Sequence, residues 1–135
     1  MINKLELEED LDRNGFKDII LNNKDIIILK FTADWCGPCS KAKPFVESKL
    51  NELEEFIKEK KNVVINFYEI VVDDYFDIYA LLKSKKMLSG IPHMMCFVGE
   101  KNIERQNYYV PDFSVSGADT NNITTFFDNI KSVIY

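Results

Sequence analysis

The sequence lacks a long hydrophobic run, a basic N-terminus and an excess of positive charge. No segment reaches the roughly 18 apolar residues that a membrane-spanning helix needs, and residues 1–12 hold five acidic residues and one lysine, unlike a secretory signal peptide. The 17 Lys and Arg residues against 22 Asp and Glu residues give a net charge of −5, whereas nucleic-acid-binding proteins are usually basic. We therefore expect a cytoplasmic protein with no membrane or nucleic-acid partner.

Cysteine and histidine are also scarce, with three cysteines and one histidine in the chain. Three cysteines in a reducing compartment do not make a structural disulfide framework. A zinc site would need two ligands besides Cys36 and Cys39. The chain offers only His93 and Cys96, which lie on opposite faces of one predicted strand. We therefore expect no metal and no cofactor.

The chain does contain a regular alternation of strand-like and helix-like segments. Its 135 residues fit one domain over residues 1–135, without repeats or linkers. Apolar and β-branched runs predict strands over residues 5–7, 26–31, 63–72 and 94–98. Apolar spacing or terminal charges predict four helices. The first ends near residues 22–23, and the others span residues 36–60, 73–86 and 121–135. Such alternation predicts an α/β fold in which a right-handed crossover joins parallel strands.

The strongest chemical signal is the segment Trp35-Cys36-Gly37-Pro38-Cys39, where a buried strand ends and a helix begins. A cysteine at a helix N-terminus lies beside unpaired N–H groups and the positive end of the helix dipole, which favour the reactive thiolate over the thiol. A two-residue spacer in helical geometry brings the second sulfur within bonding distance of the first. We expect the Cys36 sulfur to be acidic and exposed, and the pair to be redox-active.

Together with two further segments, this motif resembles the thioredoxin family. The match consists of residues 31–39, Pro44, the Gly90-Ile91-Pro92 segment and the Gly117-Ala118 pair. The Cys-Gly-Pro-Cys tetrad is the form found in thioredoxins and differs from the Cys-Gly-His-Cys of protein disulfide isomerases. The resemblance implies a thioredoxin fold, with a central mixed β-sheet flanked by helices on both faces.

The resemblance also implies a role for each matching residue. Cys36 corresponds to the attacking cysteine, and Cys39 to the buried resolving cysteine of a dithiol–disulfide cycle. The Ile91-Pro92 segment corresponds to the cis-proline loop, which pairs with the substrate main chain and so tolerates varied substrate sequences. The implied docking residues are Trp35, Gly37, Pro38, Ile91, Pro92, Gly117 and Ala118.

The implied activity is the reduction of disulfide-containing protein substrates, as part of an electron-transport chain in which a separate reductase recycles the protein. Two alternatives stay open at this point. One is a thioredoxin-fold binding or assembly subunit in which redox activity is secondary, and the other is an oxidase or isomerase.

One departure from the family concerns its buried charge pair. The family has an aspartate at the position of Lys30 and a lysine at that of Glu69, so the pair is exchanged here. We expect Lys30 and Glu69 to pair beneath the cysteines and to tune their pKa, because either charge buried alone would cost on the order of several kcal/mol. The alternative is that Lys30 extends to solvent from the end of its strand.

Two other residues allow both a structural and a functional interpretation. His93 stands where the family usually has threonine, and it is either a partly buried strand residue or a proton relay or docking contact. Cys96 lies in an apolar strand, where a cysteine usually behaves as a small hydrophobic residue.

Residues 100–115 make a longer connection than the tight hairpin usual in the family. The segment is rich in apolar and aromatic residues, namely Ile103, Tyr108, Tyr109, Val110 and Phe113. It is either an extended hairpin packed on the edge of the domain or a partner-binding surface, since aromatic residues concentrate in the cores of interfaces.

Overall fold

A five-stranded sheet with two helices on each face makes up the computed structural model, which describes residues 1–99 and 107–134. The strands are β1 (Ile2–Leu5), β2 (Ile26–Thr32), β3 (Ile65–Val71), β4 (His93–Val98) and β5 (Phe113–Ser116). The helices are α1 (Arg13–Asn22), α2 (Gly37–Ile57), α3 (Phe76–Ser84) and α4 (Thr120–Ser132). A 3-10 turn, Val72–Asp74, joins β3 to α3.

The sheet is mixed, with the strand order β1-β3-β2-β4-β5. Strands β1 and β2 both run parallel to β3, whereas β4 is antiparallel to β2 and to β5. Five consecutive residues of β2 are buried because this strand has a neighbour on each side and helices over both faces. The expected α/β architecture with a mixed central sheet is confirmed.

Two apolar cores fill the space between the sheet and the helices. Alternate residues of β2 face opposite sides, so that Leu29 belongs to the core under α1 and α3, and Ile28 to the core under α2 and α4. Cys36 and Cys39 belong to the first core, although the rest of α2 packs on the second. The two cysteines therefore lie at the edge of the sheet where the chain passes from one face to the other.

Two elements differ from the sequence prediction. The first strand covers Ile2–Leu5, so the prediction of residues 5–7 was wrong in position. Strand β1 is an edge strand whose residues are all at least partly exposed, and its apolar pattern is correspondingly weak. Strand β5 was not predicted as a separate strand, because it has four residues, of which only Val115 is buried.

No helix in the described ranges combines the length and the apolarity that a bilayer crossing requires. A single domain over residues 1–135 stays a prediction.

Candidate functional site

The loop between β2 and α2 places Cys36 at the N-terminus of α2. Cys36 is the N-cap residue, with an extended backbone at φ −90° and ψ 106°. Its Sγ accepts a hydrogen bond from the Cys39 N–H at 3.2 Å, and its own N–H donates to the Ala33 carbonyl at 3.2 Å. Pro38, in the first turn, has no N–H that would need a partner. The sulfur therefore occupies the place of a capping oxygen, where negative charge is stabilised.

Cys36 and Cys39 form a disulfide, with 5.2 Å between their Cα atoms. The expectation of an exposed Cys36 sulfur is wrong for this form, because Cys36 is only 5% exposed. Its Sγ is bonded to the buried Cys39 and lies 3.8 Å from the Ile91 carbonyl oxygen. The adjacent Gly37 and Pro38 are exposed, so the segment reaches solvent beside the sulfur.

The Ile91-Pro92 bond is cis, as the resemblance implied. The loop that carries this bond is held by the loop after β5, since the Gly117 N–H donates to the Pro92 carbonyl at 2.8 Å. Gly117 has φ +88°, a conformation that L-residues with a side chain rarely adopt. Ile91, Gly117 and Ala118 are each partly exposed. The structure thus brings most of the expected docking residues to the edge of the sheet that carries the disulfide.

Trp35 is strongly exposed, with 69% of its surface accessible. Its indole Nε1–H donates to the Asp73 carboxylate, with 2.8 Å between Nε1 and Oδ2. Sequence reasoning gave Asp73 only a role at a helix start and missed this contact. The available signal was topological, because neighbouring parallel strands such as β2 and β3 end at the same edge of a sheet.

Lys30 and Glu69 lie opposite each other on β2 and β3, in the register expected from the sequence. Lys30 Nζ is 3.7 Å from Glu69 Oε1, so the expected ion pair is present. The Lys30 side chain is only 2% exposed, and the alternative of extension to solvent is therefore wrong. Glu69 is 40% exposed, so the pair has one buried and one partly hydrated member.

A narrow cavity of about 10 Å³ adjoins Lys30 on the α2 side of the site, a volume on the order of that occupied by one water molecule. Its lining includes Ala42, which lies one helical turn after Cys39, together with Pro92 and Gly117. Lys30 and the docking loop therefore line the same small cavity.

His93 is buried, with 6% of its surface exposed, and neither ring nitrogen has a hydrogen-bond partner among the described residues. Loss of hydration lowers the pKa of its imidazole from 6.5 to about 4. This environment fits a buried strand residue, and it supplies no partner for a proton relay. Cys96 is fully buried on the opposite face, among the side chains under α2 and α4.

The tyrosines of the long connection pack on the protein's own surface. Tyr108 makes an edge-to-face contact with Phe16 of α1, with ring centroids 6.4 Å apart, and lies against Tyr109. Lys17 and Lys85 each place an ammonium group over one of the two rings. These contacts favour the interpretation of an extended segment packed on the edge of the domain. Ile103, and the rest of residues 100–106, lie outside the described residues.

Comparison with known proteins shows which proteins are similar in sequence to this chain. The chain is 34% identical to rabbit (Oryctolagus cuniculus) thioredoxin over 76 residues, which cover 56% of this chain and 64% of that protein. It is 29% identical to mouse (Mus musculus) protein disulfide-isomerase A4 over 126 residues, which cover 89% of this chain but 18% of that protein. The chain thus spans less than two thirds of the length of each relative.

The crystal structure of oxidised thioredoxin O2 from Arabidopsis thaliana superposes with a TM-score of 0.61 at 17% identity, over 98% of this chain and 95% of that chain. This likeness confirms the thioredoxin fold. The thioredoxin family model matches residues 8–115, which is well over half of the sequence. The chain therefore belongs to the thioredoxin family.

Proposed function

We propose that the protein is a thiol–disulfide oxidoreductase that reduces disulfides in protein substrates, with Cys36 as the nucleophile and Cys39 as the resolving cysteine. The observation that carries the proposal is the Cys36–Cys39 disulfide at the N-terminus of α2, where the Cys39 N–H points to the Cys36 sulfur at 3.2 Å. The same N–H group and the helix dipole would stabilise a Cys36 thiolate in the dithiol form.

The cycle begins with the dithiol form. The Cys36 thiolate attacks one sulfur of the substrate disulfide, the substrate S–S bond breaks, and the departing substrate thiolate takes up a proton. A mixed disulfide now joins Cys36 to the substrate. The Cys39 thiol loses its proton and attacks Cys36 Sγ, which releases the second substrate thiol and regenerates the Cys36–Cys39 disulfide. Two electrons have passed from the protein to the substrate.

The docking loop supports a main-chain mode of substrate binding. The Ile91 carbonyl oxygen lies 3.8 Å from Cys36 Sγ, so an extended substrate segment paired with this loop would pass close to the sulfur. Trp35, Gly37 and Pro38 present exposed surface next to Cys36, and Gly117 and Ala118 adjoin the loop through the hydrogen bond from the Gly117 N–H to the Pro92 carbonyl. Because main-chain groups make the pairing, we expect broad tolerance of substrate sequence.

Recycling requires a source of two electrons, and we propose a separate reductase for that step within a cytoplasmic electron-transport chain. The binding-subunit alternative loses its main support in the described residues, because Tyr108 and Tyr109 are engaged with the protein's own helices.

The test is reduction of insulin by dithiothreitol, followed by the turbidity of the released chains. We expect strong acceleration by the wild type and none by Cys36→Ser. Cys96→Ala is the matched control, since it removes a buried cysteine outside the disulfide and should keep full activity. Cys39→Ser should accumulate a mixed disulfide with substrate. Equal activity of Cys36→Ser and the wild type would contradict the proposal.

A second measurement concerns the nucleophile directly. In the reduced protein at neutral pH, iodoacetamide should label Cys36 faster than it labels glutathione, because the helix N-terminus increases the thiolate fraction. Labelling at the glutathione rate would remove the physical basis of the mechanism.

A further inference from the structure

The ion pair between Lys30 and Glu69 is asymmetric in its exposure to water. The Lys30 side chain is 2% exposed, whereas that of Glu69 is 40% exposed, and 3.7 Å separates Nζ from Oε1. Water screens the carboxylate much more than the ammonium group. The field of the pair inside the protein is therefore positive, although its formal charge is zero.

Lys30 shares the lining of one small cavity with residues that flank the reactive sulfurs. Lys30 lines the same small cavity as Ala42, one turn after Cys39, and as Pro92, which follows the Ile91 carbonyl beside Cys36 Sγ. Low-dielectric surroundings weaken a charge interaction less than water does. An interaction of Lys30 with Cys36 and Cys39 through the interior would therefore be weakened less than one through water.

The carboxylates on this edge of the sheet do not cancel that effect. Asp34 and Asp73 are exposed, and Asp73 accepts a hydrogen bond from Trp35. Their charges are screened by solvent, so they influence the buried sulfurs less than Lys30 does. Among the described residues, Lys30 is the one buried side chain that carries a charge at neutral pH, because the imidazole of the buried His93 has a pKa of about 4.

The positive charge of Lys30 would interact differently with the disulfide form and with the dithiol form of the protein. The disulfide form carries no charge on sulfur, whereas the dithiol form carries a thiolate that Lys30 attracts. Stabilisation of the reduced form raises the reduction potential of a dithiol–disulfide pair. The buried lysine should therefore make the Cys36–Cys39 disulfide a better oxidant.

We propose that Lys30 is an electrostatic positioning residue that stabilises the dithiol form, so that the substrates of this protein are labile, exposed or strained disulfides. Stable structural disulfides have much lower reduction potentials. A Cys36–Cys39 pair with a raised reduction potential would therefore reduce them poorly. The inference rests on the proposed reductase function, whose substrate class it defines.

Equilibrium with dithiothreitol tests the inference. In that reaction the Cys36–Cys39 bond breaks, and two electrons and two protons pass from dithiothreitol, which closes its own intramolecular disulfide. Samples at fixed ratios of reduced to oxidised dithiothreitol are quenched with acid, denatured and labelled with a heavy maleimide. Reduced chains take up three labels, and oxidised chains take up one, on Cys96.

We expect Lys30→Met to shift the equilibrium toward the disulfide at least about tenfold, which corresponds to a potential about 30 mV lower. Methionine has a similar length and leaves only the partly hydrated Glu69 without its partner. Lys30→Arg keeps the charge and should stay close to the wild type. Glu69→Gln should shift the equilibrium in the opposite direction, because it removes the opposing charge.

A folded Lys30→Met variant with an unchanged equilibrium overturns the inference, as does a Lys30→Arg variant that shifts as far as Lys30→Met. Should Lys30→Met fail to fold, Glu69→Gln decides alone: a shift toward the dithiol supports the inference, and no shift overturns it. Failure of the proposed function is distinguishable, since it would appear as loss of insulin reduction while the dithiothreitol equilibrium still responds to these variants.

Discussion

The indole of Trp35 is held by the carboxylate of Asp73, with 2.8 Å between Nε1 and Oδ2. This hydrogen bond joins the loop before α2 to the 3-10 turn after β3. It fixes the orientation of a large exposed ring directly beside Cys36. The ring is thereby pre-organised for contact with a substrate, which reduces the entropy lost on binding.

The first prediction concerns this hydrogen bond. Asp73→Ala should lower kcat/KM for insulin reduction by about fivefold to tenfold, since an exposed hydrogen bond to a charged group contributes on the order of 1 kcal/mol. The thermal midpoint should change little, because both side chains are exposed. Asp74→Ala is the control, as it removes the same charge from the neighbouring exposed position. Equal losses in the two variants would show that charge, and not orientation of the ring, matters.

The second prediction concerns His93 and pH. The folded protein holds the imidazole pKa at about 4, below its ordinary value of 6.5, so the unfolded chain binds more protons between these values. The contribution of His93 to stability is therefore fully present above about pH 6.5 and falls as the pH drops toward 4. The total loss is about 3 kcal/mol.

Urea unfolding at pH 7.5, 6, 5 and 4 checks this prediction. His93→Leu keeps a buried side chain of similar size and cannot take up a proton, so its free energy of unfolding should fall less over the same range. The carboxylates contribute equally to both proteins, and the difference between the two curves isolates the imidazole. Parallel curves would contradict the assignment.

The third prediction concerns the backbone at Gly117. With φ at +88°, an added Cβ meets no atom within 4 Å, so the cost of Gly117→Ala is conformational and about 1–2 kcal/mol. Gly90→Ala is the matched control, because its Cβ also has open space and its φ is not positive. Chemical denaturation should show a loss of stability only for Gly117→Ala. A similar change in both variants would mean that the Pro92 contact does not depend on this conformation.

The central elements could be predicted from the sequence because their local signals agree with their tertiary environment. Strand β2 is an unbroken apolar run and is buried on both faces, and α2 carries an apolar stripe that faces one core. The position of Glu69 opposite Lys30 followed from counting along the adjacent strand, and the observed register agrees. Where a segment is completely buried, its pattern of side chains restricts the secondary structure and the register that the segment can adopt.

The remaining features depend on contacts between segments distant in the chain. The limits of β1 and β5 are set by pairing with β3 and β4 at the two edges of the sheet, where few side chains are buried. The Ile91 carbonyl beside the Cys36 sulfur is 55 residues away in sequence. The partner of Trp35 is likewise 38 residues away. Local patterns carry no information about such approaches.

Trp35 is the single tryptophan of the chain, and its ring is exposed one residue from Cys36. Light absorbed at the red edge of the protein spectrum therefore excites one indole, next to the sulfur that exchanges bonds. Formation and cleavage of the disulfide should alter quenching of that indole. The protein thus has a built-in optical reporter, and stopped-flow emission can follow each half of its cycle without an attached dye.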